Sequence, residues 1–134
     1  MRLAADANVL LATLLGGRSR LVFTSPLIGE VLTTETVLAE VEEYAPILAA
    51  KRRLNPDSVL LAVSALPVIV IPKSVYKRKV AEAERRMRER DPEDVDLLAL
   101  ALHFRVAVWS NDDDFSAGRV PWFTTSALMT HLGF

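Results

Sequence analysis

Four acidic residues occupy positions from which they could share one cation. Asp6 ends a short apolar segment, Glu40 lies in an amphipathic segment, and Asp94 and Asp112 flank a largely apolar stretch. Carboxylates repel one another in a confined site, so bringing them together is costly unless a cation lies between them. Oxygen ligands suit Mg²⁺ or Mn²⁺ better than softer metals. If the fold brings the four together, the sequence predicts a site for a hard divalent cation.

The elements that carry Asp94 and Asp112 have the clearest signals in the chain. Asp91 before Pro92 predicts a helix start, because Asp caps free N–H groups and Pro suits the first helical position. That helix is expected over residues 92–103, and its body is apolar almost all round, so it should be buried. Residues 106–109 predict an inner strand. Polar residues then follow the strand in an unbroken row: Ser110, Asn111, Asp112, Asp113 and Asp114.

The remaining segments alternate between extended and helical patterns. Strands are expected at residues 3–6, 68–71 and 120–124, with short extended segments at 21–24 and 30–33. Helices are expected at residues 8–15, from a cap at Thr34 or Thr36 to Lys51 with a bend or break at Pro46, and at 55–66, 75–90 and 126–132.

This alternation predicts an α/β fold, a three-layer α/β/α sandwich with a central parallel sheet. In such a sheet the functional crevice lies outside the carboxyl ends of the strands. Asp6 and Asp112 are expected at that edge, and the helices that carry Glu40 and Asp94 could face the same crevice.

Composition bounds the protein to one domain, residues 1–134. The chain is 51% apolar, which is enough for a sizeable core, and no linker or repeat divides it. The longest apolar run, residues 59–71, is interrupted by Ser64 and Pro67 and is too short to span a bilayer. The chain has no Cys, which excludes thiolate zinc sites and cysteine nucleophiles. With no leader segment in view, we expect a cytoplasmic protein that does not associate with membranes.

The net charge of −1 conceals a segregation of charge along the chain. Residues 51–90 hold 11 Lys or Arg and four Asp or Glu, whereas the rest of the chain holds five and 13. A basic surface beside an acidic metal site is the arrangement needed to hold a polyanion. The plainer interpretation is the solvated face of surface helices. The candidate phosphate contacts are Arg52, Arg53, Lys77, Arg78, Lys79, Arg85, Arg86 and Arg88.

Four motifs in combination resemble the PIN domain, the fold of metal-dependent ribonucleases that includes the VapC-type toxins of toxin–antitoxin pairs. They are ADANVLL with Asp6 and Asn8, TVLAEVEEY with Glu40, DVDLLALAL with Asp94, and WSNDDDF with Ser110, Asn111 and Asp112. The resemblance runs from Leu3 to about Thr125.

The resemblance implies a ribonuclease that hydrolyses RNA phosphodiester bonds through a metal-activated water. One or two Mg²⁺ or Mn²⁺ ions would be held by the four acids Asp6, Glu40, Asp94 and Asp112, with Asn8, Ser110 and Asn111 in supporting positions. For the toxin branch it further implies an antitoxin partner and a homodimer.

Two further acids are weaker candidates for the metal site. Asp114 could reach a metal if its loop folds back. Asp96 lies about 200° around a helix from Asp94, so solvation or an ion pair is the better interpretation of its role. It also departs from the commonest pattern of the family, which has an uncharged residue there.

Other functions fit part of the pattern. A PIN nuclease of RNA processing would have the same residues and no antitoxin, and a non-catalytic module could use the acids to hold a structural ion or a basic partner. A receiver-like phosphoacceptor domain also gathers Asp at strand ends, but it would need a Lys near the last strand, and residues 120–124 contain none. The RNA substrate is not encoded in any of these motifs.

Overall fold

The structure, a computed structural model, describes residues 1–88 and 92–134. Two sequence predictions, the cap at Asp91 and the helix end at Arg90, lie outside the described residues. No helix in the described ranges is long and apolar enough to cross a membrane.

A five-stranded parallel sheet forms the middle of the protein. Its strands are β1 (Arg2–Ala5), β2 (Glu30–Thr34), β3 (Ile69–Ile71), β4 (Ala107–Trp109) and β5 (Trp122–Phe123). Their order across the sheet is β3-β2-β1-β4-β5, and every neighbouring pair is parallel. The central strand β1 is apolar and buried from Leu3 onward, which is typical of a strand covered on both faces.

Seven helices flank the sheet in the described residues. They are α1 (Ala7–Leu14), α2 (Glu35–Lys51), α3 (Pro56–Ser64), α4 (Lys73–Tyr76), α5 (Val80–Met87), α6 (Pro92–Phe104) and α7 (Thr125–His131). Parallel strands are joined by right-handed crossovers, which places α1 to α3 on one face of the sheet and α4 to α6 on the other. The three-layer α/β/α sandwich with a central parallel sheet is therefore confirmed.

Helix α6 is buried, as its sequence predicts. Its residues from Val95 to Ala101 are all buried, and it packs against β1, β2, β4 and α5. Its first turn carries Glu93 and Asp94, which are only partly buried. Burial of the body thus fixes the helix firmly against the sheet and leaves its acidic start at the sheet edge.

Helix α2 begins where one of the two expected caps stands. The Thr34 hydroxyl accepts a hydrogen bond from the Val37 N–H at 2.9 Å, so Thr34 is the cap. The helix continues through Pro46 to Lys51 without a break. Its inner face, which includes Val37, Val41, Ala45 and Ala49, repeats at helical spacing and is buried.

Two sequence predictions of local structure are wrong. Residues Arg18–Thr24 form a 3₁₀ helix, so no extended segment is present at 21–24. A short apolar run does not distinguish a strand from a helical turn, and here local hydrogen bonds such as Ser25 N–H to the Val22 carbonyl decide it.

The long helix expected at residues 75–90 is divided. After α4 the chain tightens into a 3₁₀ turn, Lys77–Lys79, and α5 ends at Met87 because Arg88 has a φ of 43°, outside the helical region. Tyr76, the last residue of α4, is 1% exposed. Its burial against α6 fixes α4 by tertiary contacts that helical periodicity alone does not reveal.

Candidate functional site

The register of β1 and β4 places two polar side chains next to each other. Ala5 pairs with Trp109, so Asp6 and Ser110 are the next residues of adjacent parallel strands. The Ser110 hydroxyl donates a hydrogen bond to Asp6 Oδ2 at 2.7 Å, and both residues are buried. The other carboxylate oxygen, Oδ1, accepts from the Ala7 N–H at 2.8 Å and caps helix α1. Asp6 is therefore fixed through both of its oxygens.

Asn8 joins the two strand ends. Its amide nitrogen donates to Asp6 Oδ2 and to Ser110 Oγ, each at 3.2 Å. Its amide oxygen accepts the Asn111 N–H at 3.0 Å. The Asn111 side chain in turn accepts the Thr125 N–H at 2.8 Å, at the start of α7. This chain of amides holds the loop after β4 in one conformation relative to Asp6.

The loop after β4 turns at Asp112. The Asp112 N–H donates to Ser110 Oγ, and the Asp112 carboxylate accepts the Asp114 N–H, both at 3.0 Å. Asp112 thereby caps a 3₁₀ helix, Asp113–Gly118. Carboxylate oxygens of Asp112, Asp113 and Asp114 lie within 4.8 Å of one another. The row of three acids is therefore compact, although exposed acidic groups of this kind are common without a bound ion.

The four acids named by the motifs line one cavity. The cavity has a volume of about 250 Å³, and its wall is formed by Asp6, Ala7, Asn8, Leu11, Glu40, Glu93, Asp94 and Asp112. The acids come from the end of β1, the second turn of α2, the first turn of α6 and the loop after β4. Five carboxylates from four separate elements thus face a single small space.

The pKa of Asp6 is shifted by burial and by neighbouring acids. Burial raises the pKa of the Asp6 carboxyl above its ordinary value of 3.8, and the charges of Asp112 and Asp114 raise it further. The hydrogen bonds from Ser110 and Ala7 act in the opposite direction. A cation between these carboxylates would favour their ionised forms and offset the repulsion.

The donor set fits Mg²⁺ or Mn²⁺. Among the residues that the structure describes, the charged groups that line the cavity are carboxylates, which are the hard oxygen ligands that these ions prefer. One carboxylate, that of Asp6, is buried and oriented by three hydrogen bonds from protein donors. Such oriented, crowded carboxylates are what a divalent cation requires.

Asp96 does not line this cavity. Its carboxylate accepts a hydrogen bond from the Thr36 hydroxyl at 2.8 Å and lies 3.7 Å from the Lys73 ammonium. Asp96 is 7% exposed, whereas the Lys73 side chain is largely exposed, so the ion pair expected from the sequence joins a buried carboxylate to an ammonium in solvent. Burial, the charge of Asp96 and a hydrogen bond to Asp96 raise the pKa of the neighbouring Tyr76 to about 12.

The basic residues proposed as phosphate contacts are dispersed. Helix α2 rises about 18 Å between Glu40 and Arg52, so Arg52 and Arg53 lie far along the helix from the cavity. Lys79 pairs with Glu82 at 3.7 Å, whereas Lys77 and Arg78 are exposed.

Arg85, Arg86 and Arg88 lie together. With Arg119 they line a concavity of about 1030 Å³ between α5 and the end of the 3₁₀ helix that follows Asp112. Within it, Arg86 donates to the Gly118 carbonyl and to Glu82, each at 2.9 Å. The pairing with Arg86 also lowers the pKa of Glu82.

Two contributors to the site were missed by sequence reasoning. Glu93 lines the cavity beside Asp94, and its position in the acidic first turn of α6 was the available signal. Trp122 donates its indole N–H to the Ser110 carbonyl at 2.9 Å and so supports the strand end from β5. The parallel pairing of β4 and β5 sets that contact, and no local pattern around Trp122 predicts it.

Comparison with known proteins yields one family and several similar folds. The sequence profile described as PIN domain matches residues 5–133. The comparison with curated protein sequences finds no match.

Among solved structures, the chain is similar to VapC20 of Mycobacterium tuberculosis, a toxin that cleaves the sarcin–ricin loop. The TM-score is 0.62 at 20% identity, with 88% of this chain and 95% of that chain covered.

Two toxin–antitoxin structures are about as similar to this chain as VapC20 is. VapBC2 of Rickettsia felis, bound to a promoter DNA fragment, gives a TM-score of 0.64 at 14% identity and covers 92% of this chain and 98% of that one. VapBC-1 of nontypeable Haemophilus influenzae gives 0.64 at 16% identity, with 94% and 99% covered. At these identities the likeness establishes the fold.

Proposed function

Because the chain belongs to the PIN domain family, we propose that it is a metal-dependent ribonuclease that hydrolyses RNA phosphodiester bonds. The observation that carries the proposal is the cavity of about 250 Å³ into which Asp6, Glu40, Asp94 and Asp112 converge. Carboxylates from four separate elements repel one another where they meet, and a bound divalent cation would offset that repulsion.

The four acids have the role of metal ligands in this proposal. A bound Mg²⁺ or Mn²⁺ supplies an activated water at neutral pH and neutralises charge on the phosphate oxygens. Asp6 is firmly oriented, because the Ala7 N–H, the Asn8 amide and the Ser110 hydroxyl each donate to it.

The supporting residues act through Asp6 and the loop after β4. Asn8 and Ser110 keep their hydrogen-bond donors directed at Asp6 Oδ2, which holds that oxygen in one direction. Asn111 ties the loop to the start of α7 through the Thr125 N–H. Asp114 lies in the acidic group with Asp112 and is a further candidate ligand, whereas the ion pair of Asp96 directs its carboxylate to Lys73.

The charge distribution favours a polyanionic substrate, as RNA is. The concavity lined by Arg85, Arg86, Arg88 and Arg119 lies beside the loop that begins at Asp112. A 3₁₀ helix rises about 2 Å per residue, so the basic end of this loop is on the order of 12 Å from the acidic end. Phosphates a few nucleotides from the cut bond would be within reach of these arginines.

The partners are proposed from the similar structures. VapBC2 and VapBC-1 were determined as toxin–antitoxin complexes, which supports an antitoxin for this chain and a toxin role. VapC20 cleaves the sarcin–ricin loop, so a structured ribosomal RNA loop is a substrate to test early. A homodimer, the Mg²⁺ or Mn²⁺ cofactor and a cytoplasmic location belong to the same proposal.

Each of the two alternative functions differs from a toxin ribonuclease in one testable property. A PIN nuclease of RNA processing would cleave RNA and have no antitoxin encoded beside it. A binding module would retain the metal and cleave nothing.

Cleavage of a mixed RNA pool tests the function. We expect purified protein to cut RNA with Mn²⁺, and to lose at least 100-fold in rate with EDTA or in Asp6→Asn, because the neutral side chain removes one ligand charge. Asp57→Asn is the matched control, since Asp57 is an exposed acid in the first turn of α3. Equal cutting by wild type and Asp6→Asn, or by wild type with and without EDTA, would contradict the proposal.

A further inference from the structure

A second buried carboxylate lies close to the cavity without lining it. Asp96 is two residues after Asp94, which is about 3 Å along the axis of α6 and 200° around it. It is 7% exposed. A carboxylate in such a position is costly unless its partners compensate for its charge, and it contributes little to stability even when they do. Its partners should therefore indicate what it contributes.

The partners of Asp96 come from two other helices. Thr36 in the first turn of α2 donates its hydroxyl to Asp96 Oδ2 at 2.8 Å, and Lys73 in α4 lies 3.7 Å from Oδ1. Tyr76, also in α4, is 1% exposed and hydrogen-bonds to Asp96 as well. One carboxylate thus connects α2, α4 and α6.

The bond between Thr36 and Asp96 is close to two of the cavity acids. Thr36 and Glu40 are four residues apart in α2, so their side chains point to nearly the same side of the helix, about 6 Å apart along its axis. Asp94 and Asp96 are within one turn of α6. The bond therefore joins α2 to α6 at the turns that bring Glu40 and Asp94 to the cavity.

Apolar packing between α2 and α6 does not set this geometry by itself. Packing is nondirectional, whereas a short hydrogen bond to a charged acceptor fixes both distance and direction. Ligands of a divalent cation must be held to within about 0.5 Å, and loss of the groups that orient them typically weakens metal affinity by 10-fold to 100-fold.

We propose that Asp96 is a positioning residue: through its hydrogen bond from Thr36 it fixes α2 against α6 and so sets the separation of the Glu40 and Asp94 carboxylates. Lys73 balances the charge of Asp96 in this arrangement. The inference rests on the proposed function for its metal, and it concerns the affinity of the site for that metal.

The test measures Mn²⁺ affinity separately from stability. Thr36→Val keeps the shape of the side chain and removes the hydroxyl, Thr36→Ser restores the hydroxyl, and Asp96→Ala removes the acceptor. Glu43→Gln is the matched control, because Glu43 is an exposed acid on the same helix. Calorimetric Mn²⁺ titration and thermal unfolding of the metal-free protein are recorded for each variant, with binding measured well below the lowest unfolding midpoint.

We expect Thr36→Val and Asp96→Ala each to weaken Mn²⁺ binding by about 10-fold. The double variant should bind no more weakly than Asp96→Ala, because both substitutions remove the same bond between Thr36 and Asp96. Thr36→Ser and Glu43→Gln should bind like the wild type. If Thr36→Val and Asp96→Ala lower the unfolding midpoint and keep wild-type Mn²⁺ affinity, the bond is merely structural and the inference is overturned. Absence of Mn²⁺ binding by the wild type would also overturn it. Mn²⁺ binding without RNA cleavage would refute the ribonuclease function alone.

Discussion

Asp6 and Asp96 are two buried carboxylates in opposite electrostatic surroundings. Asp6 faces other acids across the cavity and accepts hydrogen bonds from neutral groups, and its pKa is raised by burial. Asp96 has the Lys73 ammonium beside it. The proposed metal ligand Asp6 thus differs from Asp96, which has a cation of the protein beside it.

The raised pKa of Asp6 predicts how stability depends on pH. The folded protein keeps the Asp6 proton above pH 3.8, in the range where the unfolded chain has lost it, so the folded state binds more protons there. The free energy of unfolding of the metal-free protein should therefore fall as pH rises from about 4 through the raised pKa. Urea denaturation with EDTA at several pH values measures this slope.

Two comparisons isolate the contribution of Asp6. The Asn side chain in the Asp6→Asn variant cannot ionise. The free energy of unfolding of this variant should therefore fall less steeply over the same pH range. The slopes with pH are compared, rather than the absolute free energies, because the substitution also alters hydrogen bonds. Saturating Mn²⁺ should reduce the fall in the wild type, since it favours the ionised carboxylate. Identical slopes in wild type and Asp6→Asn would show that Asp6 does not titrate as described.

At the residue scale, the sequence indicated which acids would lie near one another better than it indicated which side chains would form hydrogen bonds. Asp6, Glu40, Asp94 and Asp112 line one cavity, and their role as metal ligands stays a prediction. The bond between Thr36 and Asp96 joins residues 60 positions apart. Such a contact depends on how α2 and α6 pack, and neither local spacing nor composition contains that information.

At the scale of elements, Arg86 connects α5 to the loop that carries the acids. Its guanidinium donates to the Gly118 carbonyl and to Glu82, and Gly118 packs closely on α6, because a Cβ there would lie 2.9 Å from Leu98 Cδ1. The end of the 3₁₀ helix after Asp112 is thus held between α5 and α6.

Removal of this connection should destabilise the protein measurably. We expect Arg86→Ala to lower the free energy of unfolding by about 1 to 2 kcal/mol, because a charged donor to a backbone carbonyl is lost, with partial exposure reducing the effect. Arg85→Ala, an exposed neighbour on the same helix, should change it by no more than about 0.5 kcal/mol. Urea denaturation measures the free energy of unfolding of both variants. Equal decreases in the two variants would contradict a specific role for the hydrogen bonds of Arg86.

The elements that the sequence predicted well are those with long, consistent patterns. Helix α6 and strand β4 have apolar bodies and clear ends, and they formed as expected. Residues 21–24 were too short a run to be assigned, and the helix expected at 75–90 is divided because Tyr76 is fixed by tertiary contacts. Local propensity decides an element only where packing does not oppose it.

At the scale of the whole molecule, parallel topology creates the site. The order β3-β2-β1-β4-β5 places β1 beside β4, which brings Asp6 next to Ser110 from 104 positions away. The α/β class followed from the alternation of elements, whereas the strand order and register came from the structure. The loop that follows β4 also links the acidic cavity at Asp112 to the arginine-lined concavity at Arg119.

The central claim is that a divalent cation binds among the four acids, and anomalous diffraction from crystals soaked in Mn²⁺ tests it most directly. We predict an anomalous peak within ligand distance, about 2.0 to 2.4 Å, of carboxylate oxygens from Asp6 and at least one of Glu40, Asp94 and Asp112, with the peak absent in Asp6→Asn. Mn²⁺ bound only at the exposed side of Asp113, or no peak in the cavity at saturating Mn²⁺, would contradict the account.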